Sequence, residues 1–426
     1  LKNPPALRLL FTANAVSGFA QGISMLAIPW YFTKILGKPE VFGWMYATTT
    51  FVMMFWGIYA GSLIDHYSRK SVFLLVNIFG AVLLGGVAAL GFYTGFVPDW
   101  AVIAVFSGTI FVYNIHYPAL YAFGQEVSDP SNYGHFTSWA EIIGQSVSIG
   151  SGALAALMLS GIPAGDLTLF GWSLPIKHGL EPWSLQEIFL LDGITYLLGI
   201  ILILKIRYTP SARRHKESGS VFARIRTGFV FLKKHPLLFL FGNASYAIFV
   251  VLLITVQQLL PVYIDRHLKA GAGLYAFAEV LYSVGALLAG AGIVWLFKKF
   301  NFILGIILLM IGAIAIYITY AFNYNVMVFS WVTLFLGISN AGARVLRTTY
   351  LFNHVPNQQI GRISSVFQTI NILFRVILSA IFSISFFNTA DNIRWAYLIC
   401  AGVVGIALLP ILFNYKKLVN FSINEP

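Results

Sequence analysis

Apolar residues in this chain fall in long, nearly unbroken blocks, without the alternation of soluble strands or the one-sided stripe of soluble helices. A first set of blocks covers 6–34, 41–63, 71–94, 99–127, 134–161 and 185–207. A second set covers 236–264, 272–297, 302–321, 325–352, 361–387 and 394–414. Each holds about 20 residues or more, enough to cross a bilayer core as a helix. The pattern predicts an all-α integral membrane protein of about twelve transmembrane helices, six on either side of a polar stretch. It divides the chain into a half at 1–207, a linker at 208–235 and a half at 236–426.

The bases between the blocks are distributed unevenly. One side of the membrane would carry Arg69, Lys70, Lys298, Lys299, Arg362, Lys416, Lys417 and the basic linker. The other would carry only Lys34, Lys38, Lys177, Arg266, Lys269 and Arg394. The positive-inside rule therefore places the linker and both termini in the cytoplasm. Within the linker, Val221–Phe229 has the pattern of an amphipathic interfacial helix, either contacting anionic lipid or simply tethering the halves. Pro163–Ser184, with Trp172 and Trp183, reads as a long external loop.

Composition narrows the class. Hydrophobic residues make up 58% of the 426 and charged residues 10%, against about 25% charged in soluble domains. Mean hydropathy is +0.80. The net charge of +12 is spread over loops rather than one packed face, so no nucleic-acid partner is expected. The lone Cys400 offers neither an internal disulfide nor a thiolate metal site. Lys2 and Arg8 precede a segment too long to be the core of a cleavable signal peptide. No Gly-x-x-x-x-Gly-Lys phosphate loop and no plausible nucleophilic constellation occurs, so neither an ATP-driven pump nor an enzyme is expected, and no cofactor or metal.

One polar turn stands out between the second and third blocks, Gly61-Ser-Leu-Ile-Asp-His-Tyr-Ser-Arg-Lys70. Gly61 allows close approach of two helix ends, Asp65 suits a helix N-terminus, and Arg69 with Lys70 marks the cytoplasmic side. This stretch resembles the Gly-x-Leu-x-Asp-x-x-x-Arg-Lys loop signature of the major facilitator superfamily, with Ser68 where that family often has glycine. The corresponding loop of the second half, Gly290 to Lys299, keeps a glycine and a basic pair but has no acid. Three further stretches resemble the macrolide-efflux, enterobactin-exporter and drug-efflux branch: Leu191-Asp-Gly-Ile-Thr-Tyr-Leu197, Arg226-Thr-Gly-Phe-Val-Phe-Leu-Lys-Lys-His-Pro236 and Val355-Pro-Asn-Gln-Gln-Ile-Gly-Arg-Ile-Ser-Ser365. The resemblance implies two six-helix halves and alternating access in a bacterial inner membrane. It also implies a latch in which Asp65 reaches the start of the eleventh span near Gly361 and Arg362.

Ionisable residues inside spans are costly and point to function. Glu126 or Glu141, set against Arg344 or Arg347, is a candidate cytoplasmic gate, with pairing inside one half or snorkelling as the alternative. Glu141, Glu279 and Asp192 are candidate proton carriers, Asp192 alternatively a structural acid at a helix start. Asn14, Gln21, Tyr113, His116, Asn243, Gln257, Asn340 and Arg375 are candidate cavity residues, His116 alternatively a hydrogen-bonded core residue. Gly144, Gly150 and Gly152 suggest close helix packing. The expected activity is proton-coupled export of a drug-like or amphipathic small molecule by a monomer in the lipid bilayer. Siderophore or lipid export, uptake of a small metabolite, and a transporter-shaped sensor or scaffold are the alternatives.

Overall fold

The computed structural model describes residues 4–127, 133–161, 165–169, 172–176, 179–207, 221–298, 301–389 and 392–421. Within these ranges the side chains of 58, 61–66, 117, 125, 133–135, 137–138, 165–169, 172–176, 221–224, 294, 298 and 357–358 are not described. The apolar blocks become helices: α1 Pro4–Trp30, α2 Pro39–His66, α3 Arg69–Thr94, α4 Asp99–Val127, α5 Tyr133–Ser160 and α6 Leu185–Leu204. The amphipathic linker segment forms α7, Val221–Lys234. There follow α8 Pro236–Ile254, the short α9 Leu260–Val262, α10 Ala272–Lys298, α11 Phe302–Phe322, α12 Val326–His354, α13 Asn357–Phe382, α14 Ile393–Phe413 and α15 Tyr415–Val419. Among the described residues, 11 helical segments are long and apolar enough to cross a membrane. The 28 residues of α2 extend about 42 Å at helical rise.

Local chemistry accounts for where the helices begin and end. Ser68 accepts a hydrogen bond from the Ser71 N–H at 3.1 Å and opens α3, while Asn301 does the same for Leu304 at 2.7 Å and opens α11. Glu187 accepts from the Ser184 N–H at 2.7 Å at the head of α6. Gly95 closes α3 with φ of 81°, a conformation that costs glycine little. Wider π-helical turns at Tyr31–Ile35, Thr255–Leu259 and Tyr263–His267 extend α1 and interrupt the seventh apolar block. The region read as an external loop contains an antiparallel hairpin, β1 Gly165–Leu169 and β2 Trp172–Ile176, with Leu167 opposite Leu174.

The chain forms two compact units. The first comprises 1–36, 55–215 and 270–280, and the second 37–54, 216–269 and 281–426. Helix α2 thus gives its first turns to the second unit and α10 gives its first turns to the first. In the first unit, Leu10, Phe73, Val76, Phe123, Phe136 and Ile203 pack in one buried cluster. In the second, the rings of the fully buried Tyr263, Tyr317, Tyr320 and Tyr397 pack in one cluster, stacked between Tyr317 and Tyr397 and tilted or edge-on elsewhere. Two of their hydroxyls are bonded: Tyr263 donates to the Asn323 carbonyl at 3.0 Å and Tyr320 shares a 2.8 Å bond with Thr333. Both units keep large apolar side chains exposed along their helices, among them Val82, Trp295, Ile406 and Phe413, as expected of surfaces that face lipid.

Candidate functional site

At the polar turn, α2 stays helical through His66 and α3 begins at Arg69. The side chains of Gly61 and Asp65 lie outside the described residues. Arg69 Nε stands 3.7 Å from Glu126 Oε1. Lys70 Nζ donates to the Leu204 and Ile206 carbonyls at 2.9 and 2.8 Å, which places a cation at the negative end of α6. Gly361 and Arg362, expected at the head of the eleventh span, lie within the first two turns of α13. Among the described residues nothing lies within 4 Å of a Cβ placed at Gly361, whereas one at Gly228 of α7 would sit 2.4 Å from the Arg362 carbonyl oxygen.

Two acids in the helices of the first unit are bonded to a serine of another helix. Asp192 is buried eight residues inside the Ser184 cap, so the helix start is served by Ser184 and Glu187 instead. Its Oδ2 accepts from the Ser24 hydroxyl at 2.7 Å, and its Oδ1 has no hydrogen-bond partner among the described residues. Four residues on, the Tyr196 ring fills the space over Gly80 of α3, where a Cβ would meet it at 2.7 Å. Glu279 of α10 is half-buried and accepts from the Ser148 hydroxyl of α5 at 2.7 Å. Around it α10 lies close to α5: a Cβ at Gly152 would be 3.1 Å from the Ala276 carbonyl oxygen and 3.3 Å from Glu279 Cβ. Tyr275 of α10 stacks on Trp30 of α1 at 5.7 Å. Among the described residues, neither acid has a Lys, Arg or His within ion-pair distance.

The first turns of α2 make a counterpart in the second unit. Gln258 Nε2 donates to the Ser379 carbonyl at 3.1 Å and to Ser383 Oγ at 3.2 Å. Ser379 Oγ lies 2.7 Å from Gln258 Oε1 and 3.3 Å from the Gly43 carbonyl oxygen. A Cβ at 43 would lie 2.3 Å from Ser383 Oγ and 2.4 Å from Gln258 Nε2, so any larger residue would displace these bonded side chains. Tyr46, one turn on, is hydrogen-bonded to Arg375 of α13. Arg266 donates to the carbonyls of Asn388 and Gly37.

The remaining candidates divide by environment. His116, half-buried, has Nε2 2.7 Å from Asn14 Oδ1, and its ring packs 4.9 Å from that of Phe73. Asn243 donates to the carbonyl one turn back, Phe239, at 2.8 Å. Asn340 donates to the Tyr282 hydroxyl at 2.8 Å. Arg347 is buried, donates to the Ser245 carbonyl at 3.0 Å and lies 3.5 Å above the Tyr246 ring. Glu141 and Arg344 are exposed, and Glu141 accepts from Gln145 at 3.1 Å. Tyr113 is exposed and Gln21 half-buried. Of the α5 glycines, Gly150 and Gly152 are close-packed, whereas a Cβ at Gly144 would meet none of the described residues within 4 Å.

The sequence profile of the Major Facilitator Superfamily matches residues 10–379. The chain belongs to this superfamily. No curated protein sequence is similar enough to count as a relative. Solved structures share the fold at low identity. One is the nucleoside transporter NupG, at 12% identity and TM-score 0.70, covering 96% of this chain and 99% of that one. A bacterial homologue of the iron transporter ferroportin in an inward-facing state has 13% identity, TM-score 0.69 and coverage of 98% and 99%. A bacterial homologue of the human lysosomal transporter Spinster has 11% identity, TM-score 0.71 and coverage of 98% of each chain. The superfamily and its multi-pass fold make the protein a transporter rather than an enzyme, with a fold capable of alternating access.

Within this superfamily member, sequence reasoning found both bonded acids and missed what bonds them. It named Gln257 and passed over Gln258. Both lie in the π turn Thr255–Leu259, which rotates side chains away from regular helical phase. Ser24, Ser148, Ser379 and Ser383 went unnamed because serine is common in membrane helices and its partners here are far along the chain. Small residues spaced on one helix face were the available signal.

Proposed function

We propose that the protein is a proton-coupled exporter of drug-like or other amphipathic small molecules, acting as a monomer by alternating access in a bacterial inner membrane. The reading takes twelve spans, α2 among them, in halves at 1–207 and 236–426 joined by the linker at 208–235, with both termini cytoplasmic. The observation that carries the coupling is the pair Asp192 and Glu279, acids inside apolar helices held by serine hydroxyls rather than by cations. Such a group takes up or gives up a proton without breaking an ion pair, and intramembrane acids of this kind mark proton pathways. Export of an amphipathic substrate rests on the resemblance of the 191–197, 226–236 and 355–365 stretches to the efflux branch and on the aromatic-rich composition, 21 Tyr and 10 Trp.

In this scheme Asp65 latches to the head of α13 near Gly361 and Arg362, while Glu126 or Glu141 with Arg344 or Arg347 forms the cytoplasmic gate. Asn14, Gln21, Tyr113, His116, Asn243, Gln257, Asn340 and Arg375 contribute to the substrate path. Uptake of a small polar metabolite is the second reading, favoured by structural neighbours that include a nucleoside transporter and a D-xylose–proton symporter. Proteoliposomes loaded with a pH-sensitive dye decide between them. Export predicts proton movement when amphipathic cations or macrolides are added, and uptake predicts it with nucleosides or sugars. Solute flux with no proton movement for any compound would sink the coupled mechanism. Asp65→Asn is expected to slow turnover with folding intact.

A further inference from the structure

The first turns of α2 lie in the second unit with most of α10, and the first turns of α10 lie in the first unit with the later turns of α2. Each helix is the second span of its proposed half, so the two seams occupy equivalent positions in the repeat. Each seam is built on a glycine that lets backbones approach, Gly43 in one and Gly152 in the other, together with serine hydroxyls. What fills the bonding position differs. In the α2 seam it is the amide of Gln258, and in the α10 seam it is the carboxyl of Glu279.

An amide keeps one charge state. Glu40, in the first turn of α2, stands outside the Gln258–Ser379–Ser383 bonds. A carboxyl changes both charge and hydrogen-bonding character. Protonated, it donates one bond and accepts others, and ionised it offers about four acceptor sites and no donor. Ser148 supplies one donor to Glu279, and the groups set around it, Tyr275 on α10, Gly152 on α5 and Trp30 on α1, bring no cation. The ionised form therefore needs water, and water has to enter between α5 and α10. Part of the Glu279 side chain stays exposed. Asp192 is fully enclosed at 0% exposure, so its proton has no comparable route.

Resting on the proton-coupled reading, we infer that Glu279 is the site where the coupling proton exchanges, and that the proton itself closes the α5–α10 seam. Glu279–H keeps the first turns of α10 on α5, and loss of the proton admits water and frees them. The α2 seam, built on Gln258, stays indifferent to pH. Coupling therefore passes through one of two equivalent seams.

The test uses the full chain in proteoliposomes, spin-labelled at exposed positions across each seam. Leu157→Cys with Phe277→Cys reports on α5–α10, and Trp44→Cys with Ile381→Cys reports on α2–α13. The first distance is expected to lengthen or broaden as pH rises, and the second to stay constant. Glu279→Gln is expected to hold the first pair closed and abolish its pH response, and Gln258→Glu to give the second pair a response it lacks. If Glu279→Gln fails to fold, Ser148→Ala serves in its place, and its closed population at acidic pH is expected to fall. A pH response that survives Glu279→Gln, or an α5–α10 distance that ignores pH in the unaltered chain, overturns the inference. Proton-coupled flux with a pH-insensitive distance removes the seam switch and leaves the proposed function standing. A pH-dependent distance with no proton movement for any compound does the reverse.

Discussion

The seam around Gly43 and the seam around Gly152 solve one packing problem with different tolerances. At Gly43 the neighbours of an added Cβ would be side-chain atoms at 2.3 and 2.4 Å, both already engaged in a closed set of bonds. At Gly152 they stand at 3.1–3.3 Å, and one hydroxyl–carboxyl bond spans the contact. The α2 seam is tight, multiply bonded and built from amide and hydroxyl groups. The α10 seam is less tightly packed around its glycine and holds a hydroxyl–carboxyl bond that is able to change charge. A rocking transporter needs helix ends that hold firmly and others that let go on a signal, and the contrast suggests how one repeat unit supplies both.

The largest effect is expected from Gly43→Val. Overpacking against Ser383 and Gln258 should cost about 3 kcal/mol, read as a lowered midpoint in thermal unfolding of detergent-purified protein. An unchanged midpoint would show that the α2 seam is less tight than its geometry indicates. Ser379→Ala comes next. It removes the hydroxyl at Gln258 Oε1 and leaves a buried amide short of a partner, for about 1–2 kcal/mol. Ser148→Ala loses one interhelical bond, about 0.6 kcal/mol and at most ~1.7, so the two serine variants should rank in that order in the same assay.

The acids sharpen the comparison further. Asp192→Asn keeps an acceptor for Ser24 and is expected to leave the pH–rate profile of transport in place, with stability shifted by under about 1 kcal/mol. A flattened profile would move the proton to the enclosed acid. Gly152→Ala should have the smallest effect, a loss below about 1 kcal/mol, since its neighbours need give only slightly. A loss as large as that of Gly43→Val would erase the distinction between the seams.

Much of the architecture is legible in the sequence. The block at 99–127 is α4 to the residue, because the end of a long apolar run bounds a spanning helix. The predicted end at 207 overshoots α6, which stops at Leu204 and turns its last carbonyls to Lys70. That cap depends on a residue more than a hundred positions earlier, and apolar counting does not see it. The eleventh block was placed from 361, whereas α13 starts at Asn357 after Pro356. Polar residues in a first helical turn lower local hydropathy without breaking the helix.

The sequence by itself determined that the chain crosses a membrane many times, which loops carry the bases, to which superfamily the Gly61–Lys70 turn points, and that acids at 192 and 279 lie within apolar helices. These are properties of composition, spacing and local motif, each set within a few tens of residues. Only the tertiary structure decided that Asp192 is enclosed beside Ser24, 168 residues away, and that Glu279 meets Ser148, 131 residues away. It also decided that Gln258 rather than Gln257 joins the α2 seam. An apolar helix can turn any face toward its neighbours, since lipid accepts whichever side is left over. Which polar group meets which is therefore settled by small residues and π turns that set helix spacing and phase.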